Sequence, residues 1–182
     1  MIRPLNPESS LTVHIGKGTL AEIVERAECE SPMEACGLLL GRRVGHAISV
    51  TGSVHAKNIS PQPRVSYEID PQTVLKQLAD DGNATPGDIK PRLIGFYHSH
   101  PNGAAKPSQR DLAEAWPDML NLIVSAKDNQ DRGTFFWHNT GILYATAVDP
   151  AVTADPALTR FSQGSTITLL PGIKVRAGEM PE

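Results

Sequence analysis

The sequence predicts an α/β domain, and three observations carry that expectation. Short apolar runs suited to strands alternate along the chain with segments whose apolar residues recur at helical spacing. At 182 residues the chain suits a single domain and is long enough to bury a core without staples. Its 40% hydrophobic and 20% charged residues are those of an ordinary soluble globular protein.

Leu11-Thr-Val-His-Ile15 alternates as a strand does, with His14 on the solvated side, and Gly16 ends it. Leu20, Ile23, Val24 and Ala27 then share a helical face, predicting an amphipathic helix over residues 17–30 that Ser31-Pro32 interrupts. Residues 33–41 read as a buried strand facing residues 47–51 across a Val44-Gly45 turn. Cys36 is a small buried apolar residue there, and His46 and His55 are surface polars. Residues 58–64 form a proline-punctuated loop and residues 65–69 a short extended segment. Asp70-Pro71 opens a helix to about residue 79, with Asp70 as cap and Val74, Leu75 and Leu78 on one face. Residues 81–88 are a mobile polar connector. Beyond residue 111 the pattern predicts a short helix closed by Pro117, a core strand over 119–126, a turn over 128–133, and a hairpin of 134–138 with 142–148. His138 is a polar strand-end residue. Residues 166–170 add a final strand, and the last dozen residues fray.

A net charge of −3 without a basic cluster argues against a nucleic-acid partner, which would demand neutralisation of many phosphates. Cys29 and Cys36 are too few for a disulfide scaffold and lack Cys-x-x-Cys spacing, so a reducing cytoplasm is the default. The N-terminus has no apolar signal region, and no run approaches the ~18 apolar residues of a span, so neither export nor membrane insertion is expected.

Chemistry concentrates between Gly95 and Asp111. Arg92-Leu-Ile-Gly-Phe-Tyr reads as a buried strand, so His98 and His100, two apart, project from one face at its accessible end. Pro101 keeps His100 extended, and Asn102-Gly103 turns the chain. Ser108 then caps a helix whose first turn holds Asp111, where the helix dipole favours an ionised carboxylate. Ser-x-x-Asp alone is an ordinary capping box, and His-x-His alone is often polar surface. Flanking one short turn, they point at a common spot. Two neutral imidazoles and a carboxylate, with water in the fourth position, make an open tetrahedral zinc site. Glu34 is the other oddity: a carboxylate at the start of an apolar strand is costly unless it meets a cation, a bound water or a donor.

With Glu34, His98-Ser99-His100, seven intervening residues, Ser108, two more and Asp111, the chain resembles the JAMM, or MPN-plus, zinc metalloproteases. Their signature is an upstream glutamate, His-(Ser/Thr)-His, seven residues, Ser, two residues and Asp. The resemblance covers roughly residues 10–148. It implies a compact sandwich with a mixed, mainly antiparallel curved sheet flanked by helices, placed in residues 1–149, with 150–182 as a C-terminal extension. It implies one zinc ion with a bound water on His98, His100 and Asp111, Glu34 as general base, and Ser108 as oxyanion stabiliser. The implied substrate is a ubiquitin-like protein, cleaved after its Gly-Gly tail. The compact chain is most similar to the small prokaryotic branch associated with sulfur-carrier proteins. Two other readings stand beside this one: a non-catalytic MPN-type zinc-binding interaction module, and a non-haem iron enzyme, whose usual ligand order puts the carboxylate next to the first histidine.

Overall fold

The computed structural model describes residues 11–45, 47–83, 89–125, 134–138, 146–148 and 165–169. Strand β1 (Leu11–Ile15) is followed by helix α1 (Lys17–Glu30), the hairpin of β2 (Cys36–Val44) and β3 (Ala47–Ala56), and helix α2 (Pro71–Gly82). Strand β4 (Arg92–His100), helix α3 (Gln109–Glu114), and strands β5 (Leu120–Ser125), β6 (Thr134–His138), β7 (Thr146–Val148) and β8 (Ser165–Leu169) complete the order. The eight strands among the described residues form one sheet in the order β7-β6-β5-β4-β2-β3-β1-β8. Two of its pairings, β1 with β3 and β4 with β5, are parallel and the others antiparallel, which is the mixed, mainly antiparallel sheet expected.

Helix α1 packs Ile23 and Ala27 on one face of the sheet with Val13, Leu39, Ile48, Tyr97, Leu122 and Val124. Leu38, Leu93 and Phe96 make a second cluster, completed by Val74 from α2. Leu93 and Phe96 share a cluster at an odd spacing because β4 carries a bulge: Leu39 faces Gly95 while Leu40 faces Leu93, leaving Ile94 as the additional residue. The bulge re-phases the strand upstream of His98. Gly37 is required where it stands, since a Cβ there would collide with the Val54 carbonyl and the Tyr97 ring. Gly45 turns the β2–β3 hairpin at φ +57.

Several boundaries move. The first hairpin strand starts at Cys36 rather than residue 33, and β3 runs on to Ala56. Residues 65–69, expected as a short extended segment, make one ladder contact, the isolated antiparallel bridge of Ile69 with Asn58. Helix α2 extends to Gly82, so Asp81 belongs to it rather than to the connector, and its carboxylate accepts from Leu93 N at 2.9 Å. Asp70 caps α2 as expected, accepting from Gln72 N at 3.0 Å. The final strand pairs antiparallel with β1. The expectations for His46, the connector core at 84–88, the turn at 128–133, the hairpin tip and the tail lie outside the described residues. Among the described residues, no helix is long and apolar enough to cross a membrane.

Candidate active site

Strand periodicity does what the spacing demands of it. His98 and His100 leave β4 on one side, their Nε2 atoms 3.1 Å apart, while Tyr97 faces the α1 core. Asp111 reaches them from α3, with Oδ1 3.3 Å from His98 Nε2 and Oδ2 3.6 Å from His100 Nε2. One ligand atom from each of the three residues lies within 4.8 Å of the others, the geometry of a possible metal site. A tetrahedron with bonds of about 2.0–2.1 Å has ligand separations of about 3.3 Å, which these distances match. His100 Nδ1 lies 2.9 Å from the Ala104 carbonyl. Donation there would leave Nε2 able to present its lone pair to a cation. The donor set therefore fits a divalent cation of the borderline kind.

Electrostatics points the same way. Burial pulls the pKa of His98 down, against the opposing pull of Asp111, and keeps its imidazole neutral. Burial also pulls on His100, but Asp111 and the Ala104 carbonyl outweigh it and raise that ring. Asp111 ends well below the usual carboxylate range, because hydrogen bonds from His100, His98 and Ser108 overcome its own desolvation. Protons and a divalent cation would compete for the same nitrogen and oxygen lone pairs.

Helix α3 has a complete capping box, Asp111 N donating to Ser108 Oγ at 3.1 Å and Ser108 N donating to Asp111 Oδ2 at 2.6 Å. The cap and the possible metal site share one residue, Asp111. The cap sets the Asp111 rotamer, and its carboxylate keeps lone pairs for the histidines. Ser108 Oγ accepts from Asp111 N, and the residue lines the cavity. Ser108→Ala is expected to cost about 1 kcal/mol of stability through the cap and to lower turnover by more than it lowers metal content. Unchanged turnover in a protein with a depressed melting temperature would leave Ser108 as a cap alone.

Glu34 sits just ahead of β2 and is buried. It lines a cavity of about 310 Å³ together with Tyr67, His100, Ser108 and Asp111. Desolvation is the main reason its carboxyl is pushed up to about 7, with His100 opposing the rise and Asp111 adding to it. The folded pKa thus exceeds the ordinary value of 4.5, so the stability linked to Glu34 is fully present below about 4.5 and lost as pH rises through about 7. In chelator-treated protein, the stability advantage of wild type over Glu34→Gln should shrink across that interval. A difference that stays flat with pH would mean that Glu34 titrates normally.

Sequence reasoning assigned no role to several residues that shape this site. The Tyr67 ring stacks on His98, centroids 4.2 Å apart and planes inclined by 19°. Ser99 Oγ accepts from Ala35 N at 2.9 Å and Ser99 N donates to Ala35 O, tying the glutamate's neighbour to the histidine strand. Tyr67 also borders a second, apolar groove of about 550 Å³ between α2 and α3, where Leu75, Leu78 and Trp116 stay exposed. The expected α2 face lines this groove: Val74, Leu75 and Leu78 all border it, and Val74 also packs partly buried against the cluster of Leu38, Leu93 and Phe96.

Residues 16–140 match Prok-JAB, the family described as prokaryotic homologs of the JAB domain. The chain belongs to that family. All six residues named in the motif, Glu34, His98, Ser99, His100, Ser108 and Asp111, lie inside the matched Prok-JAB region. The chain is similar to a Haloferax volcanii protein named desampylase, 35% identical over 117 residues that make 64% of this chain and 79% of that one. It is similar to a Thermus thermophilus protein named probable TtuB-protein conjugate cleaving protease, 34% identical over 108 residues, or 58% of this chain and 64% of that one. It also resembles the solution structure of a Desulfitobacterium hafniense protein, with a TM-score of 0.56 at 27% identity, covering 75% of this Prok-JAB chain and 90% of that one.

Proposed function

We propose that this Prok-JAB protein is a zinc-dependent hydrolase that cleaves the amide or isopeptide bond after the C-terminal Gly-Gly of a ubiquitin-like sulfur-carrier protein. The observation that carries the reading is the convergence of His98, His100 and Asp111 on one spot, beside a cavity that Glu34 and Ser108 also line. The names of the two curated relatives, a desampylase and a conjugate cleaving protease, support the substrate class.

His98, His100 and Asp111 would hold the metal. Zinc, when bound, supplies Lewis acidity that acidifies a water molecule and polarises the scissile carbonyl. Glu34 takes a proton from the attacking water and returns it to the leaving amine. Its burial suits both halves of that task, because a carboxyl titrating near 7 gives up a captured proton readily at neutral pH. The Ser108 hydroxyl donates to the oxyanion as charge develops. The exposed apolar groove beside Tyr67 offers a protein substrate a surface next to the cavity that would take its tail.

The hydrolase unit is assigned to residues 1–149, with 150–182 as an extension whose strand lies along β1. Two free cysteines, Cys29 exposed and Cys36 buried, suit a reducing cytoplasm.

The test is mass spectrometry of a ubiquitin-like carrier ending in Gly-Gly plus one further residue, incubated with the zinc-loaded protein. Trimming back to Gly-Gly is the expected result. An intact carrier in the presence of stoichiometric zinc would overturn the substrate assignment.

A further inference from the structure

Glu34 lies two residues ahead of β2, so its backbone is held from outside the sheet. Its N–H donates to the Pro63 carbonyl at 2.7 Å, and its carbonyl accepts from Asn58 Nδ2 at 2.9 Å. The second Asn58 amide hydrogen goes to Ser66 O at 3.1 Å, and Asn58 Oδ1 accepts from Ser60 N at 3.0 Å and from Glu68 N at 3.1 Å. Both donors and both lone pairs are used. The orientation of the amide is unambiguous, because turning it over would set its nitrogen against two N–H groups and its oxygen against two carbonyls. Around this hub the loop closes on itself, Ile59 N donating to Glu68 O at 2.9 Å and Asp70 N to Lys57 O at 3.1 Å. The same loop carries Tyr67 onto the His98 ring.

We infer that Asn58 is a positioning residue: its side-chain amide locks the loop of residues 57–70 against the Glu34 backbone, aiming the Glu34 carboxylate into the cavity. The inference rests on the reading of Glu34 as the base. The peptide group joining Glu34 to Ala35 is held on both sides, its carbonyl by Asn58 Nδ2 from the loop and its N–H by Ser99 Oγ from β4. Loss of the amide donor therefore loosens the loop on Glu34, while Ser99 still ties the strand that follows.

Asn58→Asp isolates that donor. It keeps an oxygen for the N–H groups of Ser60 and Glu68 but sets a carboxylate against the carbonyls of Glu34 and Ser66. In metal-free protein, exchange of the Glu34 amide hydrogen should accelerate by about tenfold, the loss of roughly one hydrogen bond. The Ala35 amide should keep its rate. In zinc-loaded protein, kcat should fall on the order of 10- to 100-fold, as for a proton-transfer group misplaced by about 1 Å. KM and zinc affinity should be unchanged. Added to Glu34→Gln, the substitution should have no further effect on residual turnover, since both act through one carboxylate. Asn58→Ser serves if the aspartate variant does not accumulate as folded protein.

Unaltered Glu34 exchange, or an equal fractional loss of turnover in the Glu34→Gln background, would overturn the inference. A wild-type protein that hydrolyses no Gly-Gly carrier would instead sink the proposed function, and the exchange measurement would still decide whether Asn58 holds Glu34.

Discussion

Glu34→Gln is expected to lower kcat on the order of 10²- to 10⁴-fold, the usual worth of a positioned general base, while zinc content stays at one per chain. Glutamine matches glutamate in shape and so leaves the packing around residue 34 in place. It cannot accept the proton of the attacking water. Because burial already disfavours the charged carboxylate, the neutral amide should fold at least as well at neutral pH. The loss is then chemical rather than structural. Zinc is read by elemental analysis and turnover by mass spectrometry of the carrier. Retained turnover would remove Glu34 as the base, whatever the metal result.

Asp111→Asn should empty the site. The carboxylate is the anionic member of the triad, and its two oxygens face the two imidazoles at 3.3 and 3.6 Å. The amide replaces one of those acceptors by a donor, aimed at groups that must themselves stay unprotonated to bind a cation. Loss of a mere outer partner of a metal ligand weakens affinity by about 10–100-fold, and loss of the ligand itself should exceed that. The amide oxygen can still accept from Ser108 N, so much of the cap survives and folding separates from metal loss. His98→Ala is the less clean variant, because it also removes the ring on which Tyr67 stacks. Competition with a chromophoric chelator measures the effect. Undiminished zinc affinity would take Asp111 out of the ligand set.

Much of the site was legible because its spacing is local. The two-residue period of a strand puts His98 and His100 side by side whatever surrounds them. The Ser108 to Asp111 spacing is that of a helix cap, formed by two residues three apart and their own backbone. The capping box and the proposed ligand set look like rival readings in one dimension and are compatible in three, since a carboxylate has lone pairs for a backbone N–H and for a cation. Element boundaries were less legible where tertiary contacts extend them. Asp81 reads as connector composition, yet its carboxylate accepts from Leu93 N and it belongs to α2. The apolar spacing of Val74, Leu75 and Leu78 gives a helical face but not what covers it.

The sequence by itself determined the order of strands and helices, the pairing of the two histidines and the reach of Asp111 across one turn, because each follows from periodicity or capping over a few residues. Only the tertiary structure decided how Glu34 is held and which ring lies on His98. Asn58 grips Glu34 through a backbone carbonyl that every residue type presents, and Tyr67 meets His98 through a ring face. Contacts of that kind join distant stretches of chain by shape and main-chain polarity, which leave no spacing to be read.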